Sequence, residues 1–556
     1  HELFEIIRVM SATKLFEEIL KARGLKTQAQ RDAFLNPSYD AKHDPFLLPD
    51  MQRAVKRLTG ARKNQERITI YGDYDIDGLT ATTVLLDAFS SFGFEHVKAF
   101  IPNRFVEGYG LTVDAIERIA ADGAQLIITV DCGSLSTKEI VRANELGVDV
   151  IVTDHHNVLD VQPPAVAVIN PKRPDHSYPF IDLAGVGVAF KLVQALQTKL
   201  PGLEPGQEKW LLDLVALGTV CDVVTLVDEN RANVFWGLKV LARTRRPGLK
   251  ALMAVARVEP DKVNARSLGF ALGPRMNAAG RLETAQIALD MLTAKDGMTA
   301  LEKAQELDAL NAARRAEQDI IYKEAVEQAE QFNQDNVLVV SAPNWNHGIV
   351  GIVAAKLLER FAKPTFVLQE MGEVAKGSAR SYGDFSAAEA IKSASDIITS
   401  GGGHKLAAGV TIPTKNIQAF RERVNKHYRD QKLKNQAALL LPKADILAEF
   451  ASVSEDLVKL LDQLEPFGNG NPQPILKTDA LTVTGVRRMG ANGQHVKLEA
   501  KAADGTTMQL LAFNAPDQFF IEPGTVISSW YQPDINEWQG RRSVEGRLLH
   551  LEITVE

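Results

Sequence analysis

Two cysteines in 556 residues cannot make a disulfide framework. No apolar stretch approaches the roughly 20 residues that a membrane-spanning helix needs. The stretch that begins His1-Glu2-Leu3 lacks the pattern of a secretory signal peptide. An excess of positive charge is also missing: 63 Lys and Arg stand against 70 Asp and Glu, a formal net charge of −7. That balance argues against capture of nucleic acid by the whole surface. It does not exclude a nucleic-acid substrate, because a clustered metal site gathers many acids in one place and hides basic patches elsewhere. A reducing cytoplasm is the expected setting. With 45% hydrophobic and 24% charged residues, the chain can bury large cores and should divide into three or four domains.

What the chain does have is three apolar runs that each stop on a carboxylate or a histidine. Ile68-Thr69-Ile70-Tyr71 runs into Gly72-Asp73-Tyr74-Asp75-Ile76-Asp77-Gly78, Leu126 to Val130 runs into Asp131, and Val148 to Thr153 runs into Asp154-His155-His156. Each run is short, β-branched and apolar on both alternating positions, as a strand buried on both faces of a parallel sheet should be. Helix-like stretches separate them, so the sheet is expected to be doubly wound, with the loops at the carboxyl ends of its strands converging on one crevice. Asp75, Asp77, Asp131 and His155 would meet there. Several unpaired carboxylates in one crevice need a cation.

Four pieces follow along the chain. After a helical N-terminal segment, residues 1–65, the stretch 66–297 alternates strand and helix signals and is the catalytic candidate. Residues 298–332 contain no Pro or Gly, and apolar positions at Leu301, Ala304, Leu307 and Leu310 predict one long connecting helix. A second α/β unit, 333–434, opens with Val337-Leu338-Val339-Val340 and carries Gly401-Gly402-Gly403-His404 ahead of a helix-like, Ala-rich segment. After the basic stretch Arg421 to Lys434 comes a linker, 435–463. Residues 464–556 then hold short alternating strands such as Gln494 to Glu499 and predict a small β-barrel.

The chemistry of the first unit follows from charge. Asp oxygens joined by an imidazole nitrogen suit Mn²⁺ or Mg²⁺ better than Zn²⁺ alone. Two such ions about 3.5–4 Å apart activate a water and neutralise phosphate charge during in-line displacement. Taken alone, the Asp triplet also reads as a calcium-binding loop or a solvated turn. That reading leaves unexplained why Asp131 and His155-His156 repeat the strand-then-ligand pattern. Asp222 follows a run that looks like a buried helix, so helix capping is its rival role.

Together, Gly72 to Gly78, Val130-Asp131, Asp154-His155-His156 and Gly218-Thr219-Val220-Cys221-Asp222 resemble the four motifs of the DHH phosphoesterase superfamily. Within it, Ile101-Pro102-Asn103-Arg104-Phe105 with Glu107-Gly108-Tyr109-Gly110-Leu111, the run Leu272 to Arg281, and Gly401 to His404 are similar to the bacterial RecJ exonucleases. The resemblance covers nearly the whole chain. It implies an α/β protein: a doubly wound parallel-sheet DHH domain, the long connecting helix, a smaller α/β DHHA1 domain and a C-terminal OB-like β-barrel. It also implies two Mn²⁺ (or Mg²⁺) ions held by Asp75, Asp77, Asp131, His155 and Asp222, with Asp73 an auxiliary carboxylate of the metal site. Asp131 and His156 would be the catalytic residues, Asp131 bridging the ions and His156 facing the scissile phosphate. Cys132 and Cys221 depart from the small or amide residues expected beside such ligands. They read as packing behind the site, or as thiols that make it sensitive to zinc or oxidation.

Phosphate contacts are expected from Arg104, Arg275 and Arg281 in Gly- and Asn-rich loops, from Ser378 and Arg380, and from Gly402, Gly403 and His404. For any single Arg, a solvated surface charge is the rival. In the barrel, Arg487-Arg488, Lys497, Trp530-Tyr531, Trp538 and Arg541-Arg542 mix basic and aromatic residues as a single-strand groove does, one or two of them as contacts and the rest as packing. The resemblance implies a 5′→3′ exonuclease that degrades single-stranded DNA to nucleoside 5′-monophosphates in recombination and repair. The expected partner is single-stranded DNA with a 5′ end, with a single-stranded-DNA-binding protein and a helicase as candidate protein partners. No membrane is expected, and the chain is expected to be a monomer. One rival is a DHH-type oligoribonuclease or cyclic-dinucleotide phosphodiesterase, which usually ends before any barrel. Another is a nucleic-acid-binding scaffold without hydrolysis, which the full set of ligand types opposes.

Overall fold

The structure, a computed structural model, describes residues 10–108, 110–433 and 436–554. His1-Glu2-Leu3, Tyr109 of the Glu107–Leu111 motif, and the boundary expected at 434–435 lie outside the described residues. The chain forms two compact units, one of His43–Val224 and Trp236–Leu440, the other of His1–Lys42, Thr225–Phe235 and Leu441–Glu556.

The larger unit begins with five parallel strands, β1 (Ile68–Gly72), β2 (Val97–Phe100), β3 (Leu126–Val130), β4 (Asp149–Thr153) and β5 (Ala167–Ile169), in the order β2-β1-β3-β4-β5. Every residue of β1 and β3 is buried, as a sheet covered on both faces requires. Helices Val113–Ala121 and Thr137–Glu145 share one core with Tyr71, Ile127, Val150 and Val152. Helices Ile76–Phe92 and Gly185–Gln197 pack on each other and on the strands. The order reverses between β1 and β3, and this switch point is where ligands of doubly wound sheets bind. Asp73, Asp75 and Asp131 follow those two strands.

The long helix spans Gly297–Gln331, and its Asp296 cap accepts from the N–H groups of Met298 and Thr299. Its buried positions Ala300, Ala304, Leu307, Asn311, Arg314, Gln318, Ile321 and Ala325 repeat at alternating spacings of four and three. The sequence reading placed Leu301 on this stripe, but Leu301 is exposed. Three polar residues occupy the middle of the stripe instead. The helix leads into a mixed sheet, β6 (Leu338–Ala342), β7 (Thr365–Met371), β8 (Val374–Arg380), β9 (Ser400–Gly403) and β10 (Ala407–Pro413), in the order β6-β7-β8-β10-β9. The Ala-rich segment after Gly401–His404 is therefore the strand β10, not a helix, and the glycines form the edge of a hairpin. The basic stretch from Arg421 lies mostly in the helix Ile417–Asp430, whose Phe420 and Val424 belong to this core.

In the smaller unit, β11 (Ile446–Leu447), β12 (Leu476–Met489), β13 (His495–Lys501), β14 (Thr507–Ala512), β15 (Val526–Trp538) and β16 (Arg541–Ile553) form a six-stranded sheet that closes through a β12–β15 pairing. Several strands are longer than the short pattern expected. Two boundaries also differ from the sequence reading. The helix Ala12–Ala22 puts Leu15, Phe16, Ile19 and Leu20 into the barrel's core, so the first 65 residues are not one segment. The stretch 435–463, expected as a linker, contributes Ala448, Phe450, Leu457 and Leu461 to the same core. Short-range patterns cannot reveal a core shared between chain ends. Leu15 is 0% exposed, so Leu15→Ala is expected to cost about 2–5 kcal/mol of stability in this unit. Hydrogen exchange should then show lost protection in the barrel strands, with β1 and β3 unchanged.

Candidate functional site

The loop after β1 turns straight into a helix, and Asp75 is the residue that starts it. Its carboxylate accepts from the N–H groups of Asp77 (2.9 Å) and Gly78 (3.1 Å). Gly78 has to be glycine, because a Cβ there would lie 2.6 Å from the backbone N and O of Asp73. The Asp77 carboxylate in turn caps a second helix, accepting from Gly185 N–H at 2.6 Å and Val186 N–H at 2.8 Å. A Cβ on Gly185 would lie 2.6 Å from Asp131 Oδ1, so glycine is required there too. Asp131 leaves β3 in the left-handed region (φ 61°), which Asp tolerates better than most residues.

Past β4, Asp154 is buried and organises the two histidines. Its carboxylate accepts from the backbone N–H of His155 (2.8 Å), of His156 (3.2 Å) and of Ser134 (2.9 Å), and lies 2.8 Å from His156 Nδ1. Burial works against charge on Asp154, but the bond and charge of His156 hold its carboxyl well below the usual range. Burial likewise opposes a proton on His156, yet Asp154 and the nearby Asp73 and Asp75 hold its pKa above the ordinary value. His155 behaves oppositely. Burial and the neighbouring His156 push its pKa down to about 3, leaving a neutral imidazole. Its Nε2 lies 3.0 Å from Asp131, 3.6 Å from Asp222 and 3.8 Å from Asp77.

The crevice thus gathers Asp73, Asp75, Asp77, Asp131, His155, His156 and Asp222. Asp222 caps the C-terminal end of helix Leu212–Cys221 and also lies within ligand distance of Asp77 and His155. Three overlapping triplets, Asp131/His155/His156, Asp77/His155/Asp222 and Asp73/Asp75/Asp131, each bring their ligand atoms within 4.8 Å of one another. Burial and then mutual repulsion raise Asp77 to about 7 and Asp222 to about 9, and push Asp73 and Asp131 well above the carboxylate range. Asp73 Oδ1, Asp131 Oδ1 and His155 Nε2 are buried with no hydrogen-bond partner among the described residues. Orphaned acceptors around a neutral imidazole fit divalent cations with oxygen and nitrogen ligands. The two thiols are inert packing: Cys132 and Cys221 approach the carbonyls of Tyr71 and Leu268, and burial raises both pKa values.

An arginine group lies in the same unit. Arg281 is half-buried, and desolvation together with the charges of Arg104, Arg314 and Arg380 lowers its pKa to about 10. None of these four is in an ion pair among the described residues. Arg104 stands 4.4 Å over the Tyr74 ring, Arg281 donates to the Gly348 carbonyl (2.9 Å), and Arg380 donates to the Ala379 carbonyl (2.8 Å). Arg275 and Arg281 share the helix Gly273–Leu282 rather than the loops expected. Arg275 is engaged elsewhere, by Asp308 and the Ala271 carbonyl. Ser378 lines an open groove of about 290 Å³ with His347, Lys376, Ser400 and Gly401. Gly402, Gly403 and His404 continue past it along the exposed hairpin. In the barrel, Tyr531 is core, bonded to Thr478, and the side chain of Trp538 lies outside the described residues.

Sequence reasoning missed three features. Asp154 was part of the Asp154-His155-His156 motif but was given no role of its own, though an acid before two histidines could have marked it as their anchor. Gly185-Val186 gave only a small-residue signal. Arg314, held by Asn311 and Gln318 at 2.8 Å each, looked like an ordinary exposed helix residue.

Three family models divide the chain as the fold does: "DHH family, N-terminal domain" over residues 67–219, "DHHA1 domain" over 334–430 and "RecJ OB domain" over 444–550. The single-stranded-DNA-specific exonuclease RecJ of Bacillus subtilis is 39% identical over 535 residues, covering 95% of this chain and 67% of that protein. Its Escherichia coli counterpart is 35% identical over 522 residues, covering 90% and 89%. A crystal structure of RecJ in complex with Mn²⁺ from Thermus thermophilus superposes with a TM-score of 0.81 at 29% identity, covering 99% of this chain and 80% of that one. A further crystal structure, of exonuclease RecJ bound to manganese, gives a TM-score of 0.62 at 34% identity, covering 70% and 96%. The chain belongs to the RecJ exonuclease family.

The raised carboxyls carry a pH signature. A carboxyl whose folded pKa lies above its unfolded one keeps its proton longer in the folded state. The stability it gives is therefore full below about pH 4 and is lost as pH rises through the folded value. In chelator, the melting temperature of the wild type relative to Asp222→Asn should fall between about pH 5 and about pH 9. At about 100 times its dissociation constant, Mn²⁺ should add about 2.7 kcal/mol. Melting curves with and without the metal check both statements.

Proposed function

We propose that this chain is a two-metal-dependent 5′→3′ exonuclease that degrades single-stranded DNA to nucleoside 5′-monophosphates in recombination and repair. The observation that carries the reading is a crevice of clustered carboxylates with a neutral histidine, in the same unit as arginines that form no ion pair among the described residues. Asp75, Asp77, Asp131, His155 and Asp222 hold Mn²⁺ or Mg²⁺, with Asp73 auxiliary and Asp131 central. Bound there, the metal lowers the pKa of a water and takes up charge on the phosphate. His156 is held protonated by Asp154 and remains partly open to the crevice, at 37% side-chain exposure. It donates toward the scissile phosphate as negative charge builds, and the 3′ oxygen of the terminal nucleotide leaves.

Direction follows from where the end is held. Arg104, Arg281 and Arg380, with Ser378, bind a terminal 5′ phosphate, so the next phosphate is the one cut. The helix residue Arg314 joins that group, and Arg275 does not. Gly402, Gly403 and His404 lie along the strand's path, and the barrel grips nucleotides further on. Single-stranded DNA with a 5′ end is the substrate. A single-stranded-DNA-binding protein and a helicase are the protein partners this role calls for, and the enzyme works in the cytoplasm as a monomer. Among the described residues no helix is long and apolar enough to cross a membrane.

Asp131→Ala is expected to lower hydrolysis at least about 100-fold in saturating Mn²⁺ while circular dichroism stays unchanged. Retention of most of the rate would remove Asp131 from the centre of the site. Arg380→Ala should weaken binding of 5′-phosphorylated strands by about 1.5–3 kcal/mol and erase their advantage over unphosphorylated ones. Initial rates on matched oligonucleotides with and without the end phosphate measure this. Equal wild-type rates on the two would assign end recognition to other residues.

A further inference from the structure

The loop after β5 supplies no candidate ligand, yet it is bonded to the loops that line the crevice. In the sequence, Asn170-Pro171 reads only as a turn that follows an apolar run. β5 lies at the edge of the sheet beside β4, and its Ile169 carbonyl accepts the N–H of Asp154 at 3.0 Å. Asn170 therefore comes next to the loop that carries the two histidines. It is fully buried, and both ends of its amide are engaged. Nδ2 donates to Ser134 Oγ and to the His156 carbonyl, both at 2.9 Å, while Oδ1 accepts from the Lys172 N–H at 2.9 Å. A carbonyl can only accept and a backbone N–H can only donate, so these partners fix which end of the amide is nitrogen.

These bonds close a ring. Asn170 holds the Ser134 hydroxyl, and the Ser134 N–H donates to the Asp154 carboxylate at 2.9 Å. That carboxylate accepts the His156 N–H at 3.2 Å and lies 2.8 Å from His156 Nδ1. The His156 carbonyl then returns the ring to Asn170. Ser134 and Asp154 are buried like Asn170, so water competes little for these bonds. Of the ring's members, His156 is the one whose side chain opens toward the crevice. Asp154 fixes its imidazole and its N–H side, and Asn170 fixes its carbonyl side. Being held on both sides of the Cα removes backbone freedom that either bond alone would leave. A group that must meet a phosphate tolerates little misplacement, since an error of about 1 Å can cost about 100-fold in rate. Only an amide serves both acceptors: a carboxylate has no proton to donate, and a hydroxyl has one.

The geometry points to Asn170 as a positioning residue for His156: with Ser134 and Asp154 it forms a buried brace that aims the imidazole into the crevice without touching substrate or metal. The proposal rests on the reading of His156 as the group that faces the scissile phosphate. Loss of the brace leaves the substrate bound but its phosphate poorly met, so the defect falls on turnover rather than on binding.

The test is a double-mutant cycle on the full chain, with a 5′-phosphorylated single-stranded oligonucleotide and saturating Mn²⁺, which keeps a change in metal affinity out of the comparison. Asn170→Ala should lower kcat about tenfold with KM within about twofold of wild type. His156→Ala should lower kcat further. Adding Asn170→Ala to His156→Ala should then cost less than about twofold more, because no imidazole is left to aim. An asparagine that only props up the β5 loop would cost about tenfold in both backgrounds, and that result overturns the proposal. So does a folded Asn170→Ala whose kcat stays within about twofold of wild type. If His156→Ala turns over like the wild type, the reading of His156 fails and the brace falls with it. If His156→Ala is impaired and the two losses multiply, the brace alone is overturned. Should Asn170→Ala not fold by circular dichroism, Ser134→Ala decides by the same cycle, since it removes the hydroxyl that holds the Asn170 amide and leaves the Ser134 N–H in place.

Discussion

Asp73, Asp77, Asp131 and Asp222 share a buried crevice, and each is pushed above the carboxylate range by burial and by the charge of its neighbours. Much of the surrounding structure keeps that repulsion from dispersing them. The N-terminus of helix Gly185–Gln197 donates two N–H groups to Asp77, and its first glycine lets the Asp131 carboxylate come close. Asp154, the one acid in the group with a lowered pKa, spends its acceptors on the loop that carries His155 and His156. The two histidines therefore differ in charge although they are adjacent. His155 is held neutral, and His156 is a cation partly open to the crevice.

Opposite charge is concentrated with the same economy. Arg281 is half-buried near three other arginines, with no carboxylate paired to it among the described residues. Such an arrangement costs stability until an anion arrives. Two clusters of opposite sign within one unit suit an enzyme that must hold metal and phosphate at once. A metal-binding scaffold without hydrolysis would need neither the protonated His156 nor the second cluster.

The strand-borne half of the candidate site was legible in the sequence because each buried run ended on a candidate ligand, and parallel-sheet topology then gathers strand ends in one place. Asp222 was less legible, since it ends a helix rather than a strand, and capping rivalled the ligand reading until the resemblance to a known family favoured the latter. Arg314 stayed hidden because a charged residue on a helix is usually solvated, and only the packed structure shows that its stripe is buried. The glycines of Ser400–Gly403 gave no strand signal, as their backbone pairs without β-branched side chains. The sharing of one core by Leu15 and Leu457 depends on contacts hundreds of residues apart, which no local pattern records.

The central claim is that protons occupy this crevice until metal replaces them. Titration calorimetry of the metal-free chain with Mn²⁺ at neutral pH, repeated in buffers of different ionisation enthalpy, counts the protons released. The account requires release of at least about one proton per chain, falling as pH is raised through the range where Asp77 and Asp222 lose theirs. Mn²⁺ binding with no proton release at neutral pH would mean that the carboxylates are already ionised in the free protein, and would contradict it.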